Sequence, residues 1–364
     1  MWYILPEMSL NTNKRKVVII VGPTASGKSD LALRLAKLAR IKPFKKYGIT
    51  GAEIISADSR QVYRGMDIGT GKVLRDKNPK SKILNLKQTQ NPKFKIQNQD
   101  YYSSGTRHHL IDIANPKKQF TADDFKKLGE KAIKEILAKG KVPIIVGGTG
   151  FYIDILLGRI NTAEVPPNKK LRAQFDKLTA EKLFEKLIKL DPQRAKTIDR
   201  HNKRRLIRAL EIVRATGKPI SNAVSSIKYC VLWLGINPDK KELAKRIKKC
   251  LDRRLKQGML KEVQKLHKQG VSWERLNDFG LEYRWISRWL KETSGKRQAT
   301  KEFKNSDEYQ NLLRDIIHYS KRQMTWFKRN TEIHWLVLNE VEGTKNDRQA
   351  NKLIKKFIEN KTAE

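Results

Sequence analysis

The chain has 364 residues, 38% of them hydrophobic, and 78 Lys and Arg against 38 Asp and Glu give a formal charge of +40. The apolar share suffices for a core of one large or two smaller domains, and the charge favours a polyanionic partner such as nucleic acid or an anionic membrane surface while saying nothing about fold. The two cysteines, Cys230 and Cys250, form no CxxC pair and no zinc pattern, which argues against a disulfide framework or structural zinc and fits a reducing cytosol.

The basic residues are spread along the chain rather than gathered in a tail, so a merely lysine-rich composition fits as well as a nucleic-acid surface until motifs decide. No apolar run approaches the roughly 18–20 residues of a membrane span. Met1–Leu10 lacks the basic start and apolar stretch of a signal peptide. A soluble, cytoplasmic protein without membrane contact is expected.

Lys16–Val21 reads as a β-branched strand entering a Gly-rich turn, followed by a helix over Asp30–Arg40 with Leu31, Leu35 and Leu38 at helical spacing. Glu53–Ser56 and His109–Ile113 read as further strands. The stretch 74–105 is rich in Lys, Asn and Gln, contains Pro79 and Pro92, and reads as a polar loop insertion. Thr121 to Gly140 predicts a helix with Thr121 as N-cap and Asp124 three residues on, and Val142–Val146 a strand stopped by Gly147-Gly148. After Pro166-Pro167 the pattern is helical through Gly217. A strand, Tyr229–Ile236, then precedes one long basic helix, Lys240–Lys268, with Leu243, Ile247, Leu251, Leu255, Val263 and Leu266 as its buried stripe. Alternation of strands and helices predicts an α/β fold with a parallel sheet covered on both faces. The organisation expected is an α/β core over 14–164 and 229–340, a helical insertion over 165–228, and a basic C-terminal helix or tail over 341–364.

Gly22-Pro23-Thr24-Ala25-Ser26-Gly27-Lys28-Ser29 fits GxxxxGK[ST] between a strand and a helix, the context that gives this motif its meaning. Its glycines let backbone N–H groups turn toward phosphate oxygens, and the helix N-terminus adds positive potential. Lys28 supplies a point charge, and the Ser29 hydroxyl is placed to hold Mg²⁺. A bound di- or triphosphate follows, on a P-loop NTPase-like core; the motif does not say whether the phosphate belongs to a nucleotide.

Asp58 follows the second strand, so in an open parallel sheet it faces the crevice beside the P-loop. There it could take a proton from a nucleophile or hold Mg²⁺ through water. A plain turn or cap aspartate fits equally well, and Asp67 and Asp112 have similar claims.

Asp58-Ser59-Arg60-Gln61-Val62-Tyr63-Arg64-Gly65-Met66-Asp67-Ile68-Gly69-Thr70-Gly71-Lys72, with Pro23–Ser29 before it, strongly resembles the tRNA dimethylallyltransferases, enzymes that modify the adenosine next to the anticodon. His108–Asp112, Gly147–Tyr152, Asp199–Glu211 and Arg322–Phe327 continue the resemblance from roughly Val17 to Trp335. Departures are Gly71 where Ala is common, Glu282 where Gly is usual within Gly280–Arg284, and the insertion 74–105. No Cys/His zinc-finger pattern like that of eukaryotic relatives occurs in this sequence, and the resemblance implies the bacterial type.

The resemblance implies a P-loop that holds the diphosphate of dimethylallyl diphosphate, Asp58 as general base, Mg²⁺ as cofactor, and catalytic or diphosphate roles for Thr149 and Arg208. It implies contacts to the tRNA anticodon stem-loop from Asp58, Ser59, Arg60, Gln61, Thr149, Arg172, Arg204, Arg205, Leu206, Ile207, Arg208, Tyr283, Arg284, Arg322, Gln323 and Trp326, in a protein expected to be a monomer. Helical geometry sets Arg204, Arg205 and Arg208 on one arc and Leu206, Leu210 and Val213 on the other. Basic residues alternating with Trp326 and Phe327 suit stacking on unpaired bases, although a core position suits one of the two rings equally well. A P-loop small-molecule kinase is the competing reading, against which the fourth strand offers Gly147-Gly148-Thr149 and no Walker-B aspartate; a non-catalytic RNA-binding protein is a third.

Overall fold

The computed structural model describes residues 16–38, 48–77, 100–163, 165–220, 229–293, 300–336 and 343–359, with backbone alone for 343–346. Met1–Leu10, Pro79, Pro92 and most of the expected loop 74–105 lie outside the described residues. The chain divides into two compact units, Met1–Leu156 with Lys228–Glu364, and Leu157–Ile227.

The first unit begins with β1 (Lys16–Val21), α1 (Lys28–Leu38), β2 (Gly51–Ser56), β3 (Tyr101–Ser103), β4 (Thr106–His109), α2 (Ala122–Ala138), β5 (Lys141–Gly147) and α3 (Gly150–Leu156). Thr121 caps α2 in a complete capping box with Asp124, so two orphan backbone donors are satisfied reciprocally. The strand expected over His109–Ile113 ends at His109. Leu110 and Asp112 take φ of 63° and 57°, which leaves the extended region, and the Asp112 and Ile113 N–H groups donate to Gln61 and Val62 instead of a strand. The end of the expected polar loop is ordered as the β3–β4 hairpin, its turn held by Asp76, which accepts the Ser104 and Gly105 N–H groups at 2.8 and 2.7 Å.

The unit Leu157–Ile227 is helical: α4 (Lys169–Phe175), α5 (Ala180–Leu190), α6 (Pro192–Thr197) and α7 (Lys203–Thr216) enclose Phe175, Leu183, Leu187, Leu206, Ile207 and Leu210. Asp191, fully buried, caps α6 through the Arg194 N–H and also accepts the Ile220 N–H.

The first unit resumes with β6 (Cys230–Ile236), α8 (Lys240–Lys256), α9 (Met259–Lys268), α10 (Trp273–Phe279), α11 (Leu281–Glu292), α12 (Thr300–Lys304), α13 (Asp307–Phe327), β7 (His334–Leu336) and α14 (Gly343–Glu359). The long helix expected over Lys240–Lys268 is two helices, because Gly258 adopts φ 100° and a left-handed residue ends an α-helix. The whole predicted stripe is nonetheless buried, packed with Tyr283, Ile286, Leu312 and Ile316.

The sheet order is β3-β4-β2-β5-β1-β6-β7, parallel throughout except for the β3–β4 pair. On one face Val18, Ile20, Ile54 and Ile144 meet Leu31 and Leu35 of α1 and Ile354 and Ile358 of α14. The intervening Ile19, Ile55 and Ile145 are buried as well, so both faces are covered, as a parallel sheet requires. The expected basic C-terminal helix is therefore a packed layer of this core along 343–359.

Within the sheet, the buried Glu53 carboxylate meets His109 Nε2 and Lys141 Nζ, each at 2.7 Å, and Lys139 Nζ at 3.4 Å. Burial pushes this carboxyl up, but hydrogen bonds with His109 and Lys141 and the charges of Lys141 and Lys139 outweigh it and hold it at about 2. Because the folded value is depressed, the resulting stabilisation is complete above about 4.5 and disappears as pH falls toward about 2. Urea unfolding of the protein and of Glu53→Gln should differ by of order 2–3 kcal/mol at neutral pH, and the gap should narrow as the pH is lowered below about 4 and close toward about 2.

Candidate active site

Strand register builds the site. β1 and β5 are paired as far as Val21 opposite Gly147, and β2 pairs Ser56 with Val146. The chain thus leaves three adjacent strands at one level, at the carboxyl edge where open parallel sheets bind ligands. The Ala57 N–H donates to the Val146 carbonyl at 2.8 Å, and the Ala57 carbonyl accepts the Thr149 N–H at 3.3 Å. A Cβ on Gly147 would stand 2.1 Å from that Ala57 oxygen, so this approach requires glycine. Thr149 Oγ1 accepts the Ser59 N–H at 3.3 Å, which ties Thr149 to the turn that begins at Asp58.

Gly22–Ser29 curls between β1 and α1. Ala25 and Gly27 have φ of 61° and 83°, an arrangement that turns successive N–H groups into one concavity. Lys28 Nζ folds back to donate to the Pro23 carbonyl at 3.0 Å. Burial pushes the Lys28 amine down to about 8; the Asp58 charge opposes this and the Arg254 charge adds to it. An anion in the cradle favours the protonated ammonium and counters both. Ser29 lies in the first turn of α1, and the buried Ser26 Oγ has no hydrogen-bond partner among the described residues.

Asp58 is both a turn residue and a candidate base. Its Oδ1 accepts the Arg60 and Gln61 N–H groups at 2.8 and 3.2 Å, which fixes the carboxylate and leaves Oδ2 outside the turn. Asp67 and Asp112 do not compete for the role: both pair with Lys72, whose side chain is buried and also donates to the Tyr63 carbonyl. Arg60 is half-buried with its guanidinium 5.8 Å from the Phe279 ring centre. The Gln61 amide is spent internally, accepting from Ser56 Oγ at 2.9 Å and donating to the Thr70 carbonyl at 3.3 Å.

α13 borders this edge. Gln323, expected among the tRNA contacts, is 6% exposed and bonded to Gly148 and Thr24. Trp326 donates from Nε1 to Asp154 at 2.8 Å and meets Phe151 edge-on at 6.4 Å, while Phe327 is buried in the core. Arg322 is exposed, its guanidinium 5.8 Å from the Tyr319 ring centre.

Tyr319 is the residue that sequence reasoning missed. Burial and the Asp58 charge push its hydroxyl up to about 12, with Arg60 and Thr149 opposing them. It is a protonated phenol at neutral pH beside the candidate base. A lone Tyr between His318 and Ser320 carries no motif that could have marked it. Arg254 was missed for the same reason; it donates to Glu282 Oε1 at 3.0 Å and to the Gly69 carbonyl at 3.2 Å. Burial raises the Glu282 carboxyl, with Arg254 opposing.

Tyr283 stands as a correction to its expected role in tRNA contact. It is 1% exposed and donates to Glu262 Oε1 at 2.8 Å. Glu262 also accepts three successive N–H groups, from Asp67, Ile68 and Gly69 at 2.8, 2.6 and 3.0 Å, so Tyr283 braces the loop after Met66 from within the core. Arg284 is half-buried with its Nε 3.3 Å from the Asn277 carbonyl.

In the helical unit, Leu206 and Ile207 are likewise core, at 0% and 5% exposure, because they occupy the apolar side of α7. Arg204 and Arg205 are exposed. Arg172 grips Glu211 with Nε to Oε1 at 2.9 Å and Nη2 to Oε2 at 2.7 Å, and Arg208 Nη1 reaches the same Oε2 at 2.6 Å. Burial pushes the Glu211 carboxyl up, but hydrogen bonds from Arg172, Arg208 and the Asn168 backbone outweigh it and hold it at about 2. Two guanidinium groups share one carboxylate, so the cluster keeps a net positive charge.

The description IPP transferase belongs to the family model that matches residues 93–330. A tRNA dimethylallyltransferase 1 of Syntrophus aciditrophicus is 34% identical, across 93% of this chain and 98% of that one. Another tRNA dimethylallyltransferase 1, from Geotalea daltonii, is 36% identical over 88% of this chain and 90% of its own. The alignments with both therefore extend well beyond the family model, over most of the chain. Among solved structures, a tRNA isopentenylpyrophosphate transferase of Bacillus halodurans superposes with a TM-score of 0.62 at 28% identity, covering 95% of this chain and 97% of that one. A eukaryotic dimethylallyltransferase acting on tRNA shares the fold, with a TM-score of 0.69 at 22% identity over 93% of this chain and 78% of its own. No described helix is long and apolar enough to cross a membrane, and both cysteines are free. By this extent of likeness the chain belongs to the IPP transferase family.

Proposed function

We propose that the protein transfers the dimethylallyl group of dimethylallyl diphosphate to N6 of adenosine 37 in the anticodon loop of tRNA, releasing diphosphate. The observation that carries this reading is the meeting of the phosphate cradle, Asp58 and Thr149 at one sheet edge, in a chain whose relatives are named tRNA dimethylallyltransferases. A kinase reading has no such support, since β5 runs into Gly147-Gly148-Thr149 without an acidic residue.

The N6 amine is a weak nucleophile because its lone pair is delocalised into the purine. As N6 forms its bond to the allylic carbon, the bond from that carbon to diphosphate oxygen breaks and the electron pair leaves with the diphosphate. Asp58 takes the N6 proton at its free carboxylate oxygen, a task worth most in the transition state. Lys28 and the first N–H groups of α1, which have no carbonyl one turn before them, receive the developing charge. Thr149, held by Ser59, limits how the base can sit. Mg²⁺, when bound, neutralises the departing diphosphate. Ser29, in the first turn of α1 beside the cradle, would hold it, with phosphate oxygens as the further hard ligands this cation prefers. Arg208 and Arg172 are proposed for diphosphate and tRNA, and Arg204, Arg205 and Arg322 for tRNA phosphates. A tRNA substrate implies the cytoplasm, and we take the working form to be a monomer.

Incubation with unmodified tRNA, dimethylallyl diphosphate and Mg²⁺, followed by mass analysis of nucleosides, should yield isopentenyladenosine; a digest free of it sinks the proposal. Asp58→Asn keeps an oxygen for the turn but cannot act as base, and should lower turnover about 10²- to 10⁴-fold with tRNA and diphosphate affinities retained. tRNA binding should weaken about 100-fold between roughly 50 and 200 mM salt if some four phosphates are neutralised; a flat salt response removes the electrostatic part of the reading.

A further inference from the structure

Gln323 lies on the inward side of α13 with its amide directed at two backbone groups from different strand exits. Its Nε2 donates to the Gly148 carbonyl at 2.9 Å, and its Oε1 accepts the Thr24 N–H at 2.9 Å. One partner belongs to the turn after β5, the other to the phosphate loop after β1. A Cβ on Gly148 would fall 2.0 Å from Nε2, so the backbone there comes as near to the amide as glycine allows. An amide both gives and takes in one plane; a carboxylate lacks the proton and an apolar side chain lacks both functions. A neighbouring inward position of α13 is fastened close by, Trp326 to Asp154, while Lys321 and Arg322 remain exposed on its outer side.

We propose that Gln323 is a positioning residue for the phosphate cradle and not an RNA ligand. By holding Thr24 to the β5 exit it sets the separation between the loop that takes the diphosphate and the Asp58–Thr149 pair. Thr24 N–H is thereby withdrawn from the donors offered to phosphate, and the cradle opens with its remaining N–H groups already aimed. This rests on the prenyl-transfer reading above only in naming the anion as a diphosphate.

The test compares the full-length protein with Gln323→Met, which keeps length and volume but loses both bonds, and Gln323→Glu, which keeps the acceptor and loses the donor. Affinities for inorganic pyrophosphate and for unmodified tRNA are measured separately, with KM for each substrate. Gln323→Met should bind pyrophosphate at least tenfold more weakly and raise KM for the prenyl donor, with tRNA affinity within twofold of the parent. Gln323→Glu should be impaired at about pH 7.5 and approach the parent as pH falls toward about 5.5, because the protonated acid donates and accepts as the amide does. Loss of tRNA affinity with pyrophosphate binding intact overturns the proposal, as does equal loss of both or a Gln323→Glu defect that ignores pH. A parent protein that binds no pyrophosphate, by contrast, defeats the functional reading itself.

Discussion

The whole site depends on three parallel strands ending at the same height. Val21 is paired with Gly147 and Ser56 with Val146 across the ladder of β2, β5 and β1, and each strand hands on a chemically different segment: a phosphate loop, a carboxylate turn and a hydroxyl. A slip of two residues in one strand would preserve every buried side chain on its face yet move its segment by about 7 Å, beyond hydrogen-bond reach of the other two. The close backbone approach of Ala57 to Gly147 opposes such a slip.

Charge in the site suits the anion that the proposed reaction requires. Lys28, Arg60 and Arg254 face Asp58 and Glu282, and Arg254 both neutralises Glu282 and weakens the protonation of Lys28. In the proposed reaction, diphosphate would complete this balance by supplying the negative charge that Lys28 lacks a full partner for. The carboxylate of Asp58 is anchored by one oxygen and, in the proposed mechanism, bears its chemistry on the other, so orientation and reactivity would be divided between two atoms of one group.

Strands β1, β2, β5 and β6, the α2 cap and the P-loop were legible because each is a local pattern: β-branched runs, a Thr and Asp three apart, glycines at fixed spacing. The break at Gly258 and the early end of β4 were not, since the leucine stripe continues through the first and an apolar run continues past the second while the backbone turns at Leu110 and Asp112. Among site residues, Lys28, Asp58 and Thr149 were found from motifs. Tyr319 and Arg254 were hidden because they arrive from distant helices, and nothing in their neighbours' identity states what they face. Leu206, Ile207, Gln61, Tyr283 and Gln323 show the converse: a motif can be kept for what supports a surface from behind as much as for the surface.

Glu262 accepts four donors, three from consecutive peptide groups and one from Tyr283. A carboxylate so fully saturated has little capacity left for water, and the peptides it clasps have no cheaper alternative. The segment from Asp67 to Gly69 is therefore held as one rigid turn, fastened to the helical layer by a single side chain.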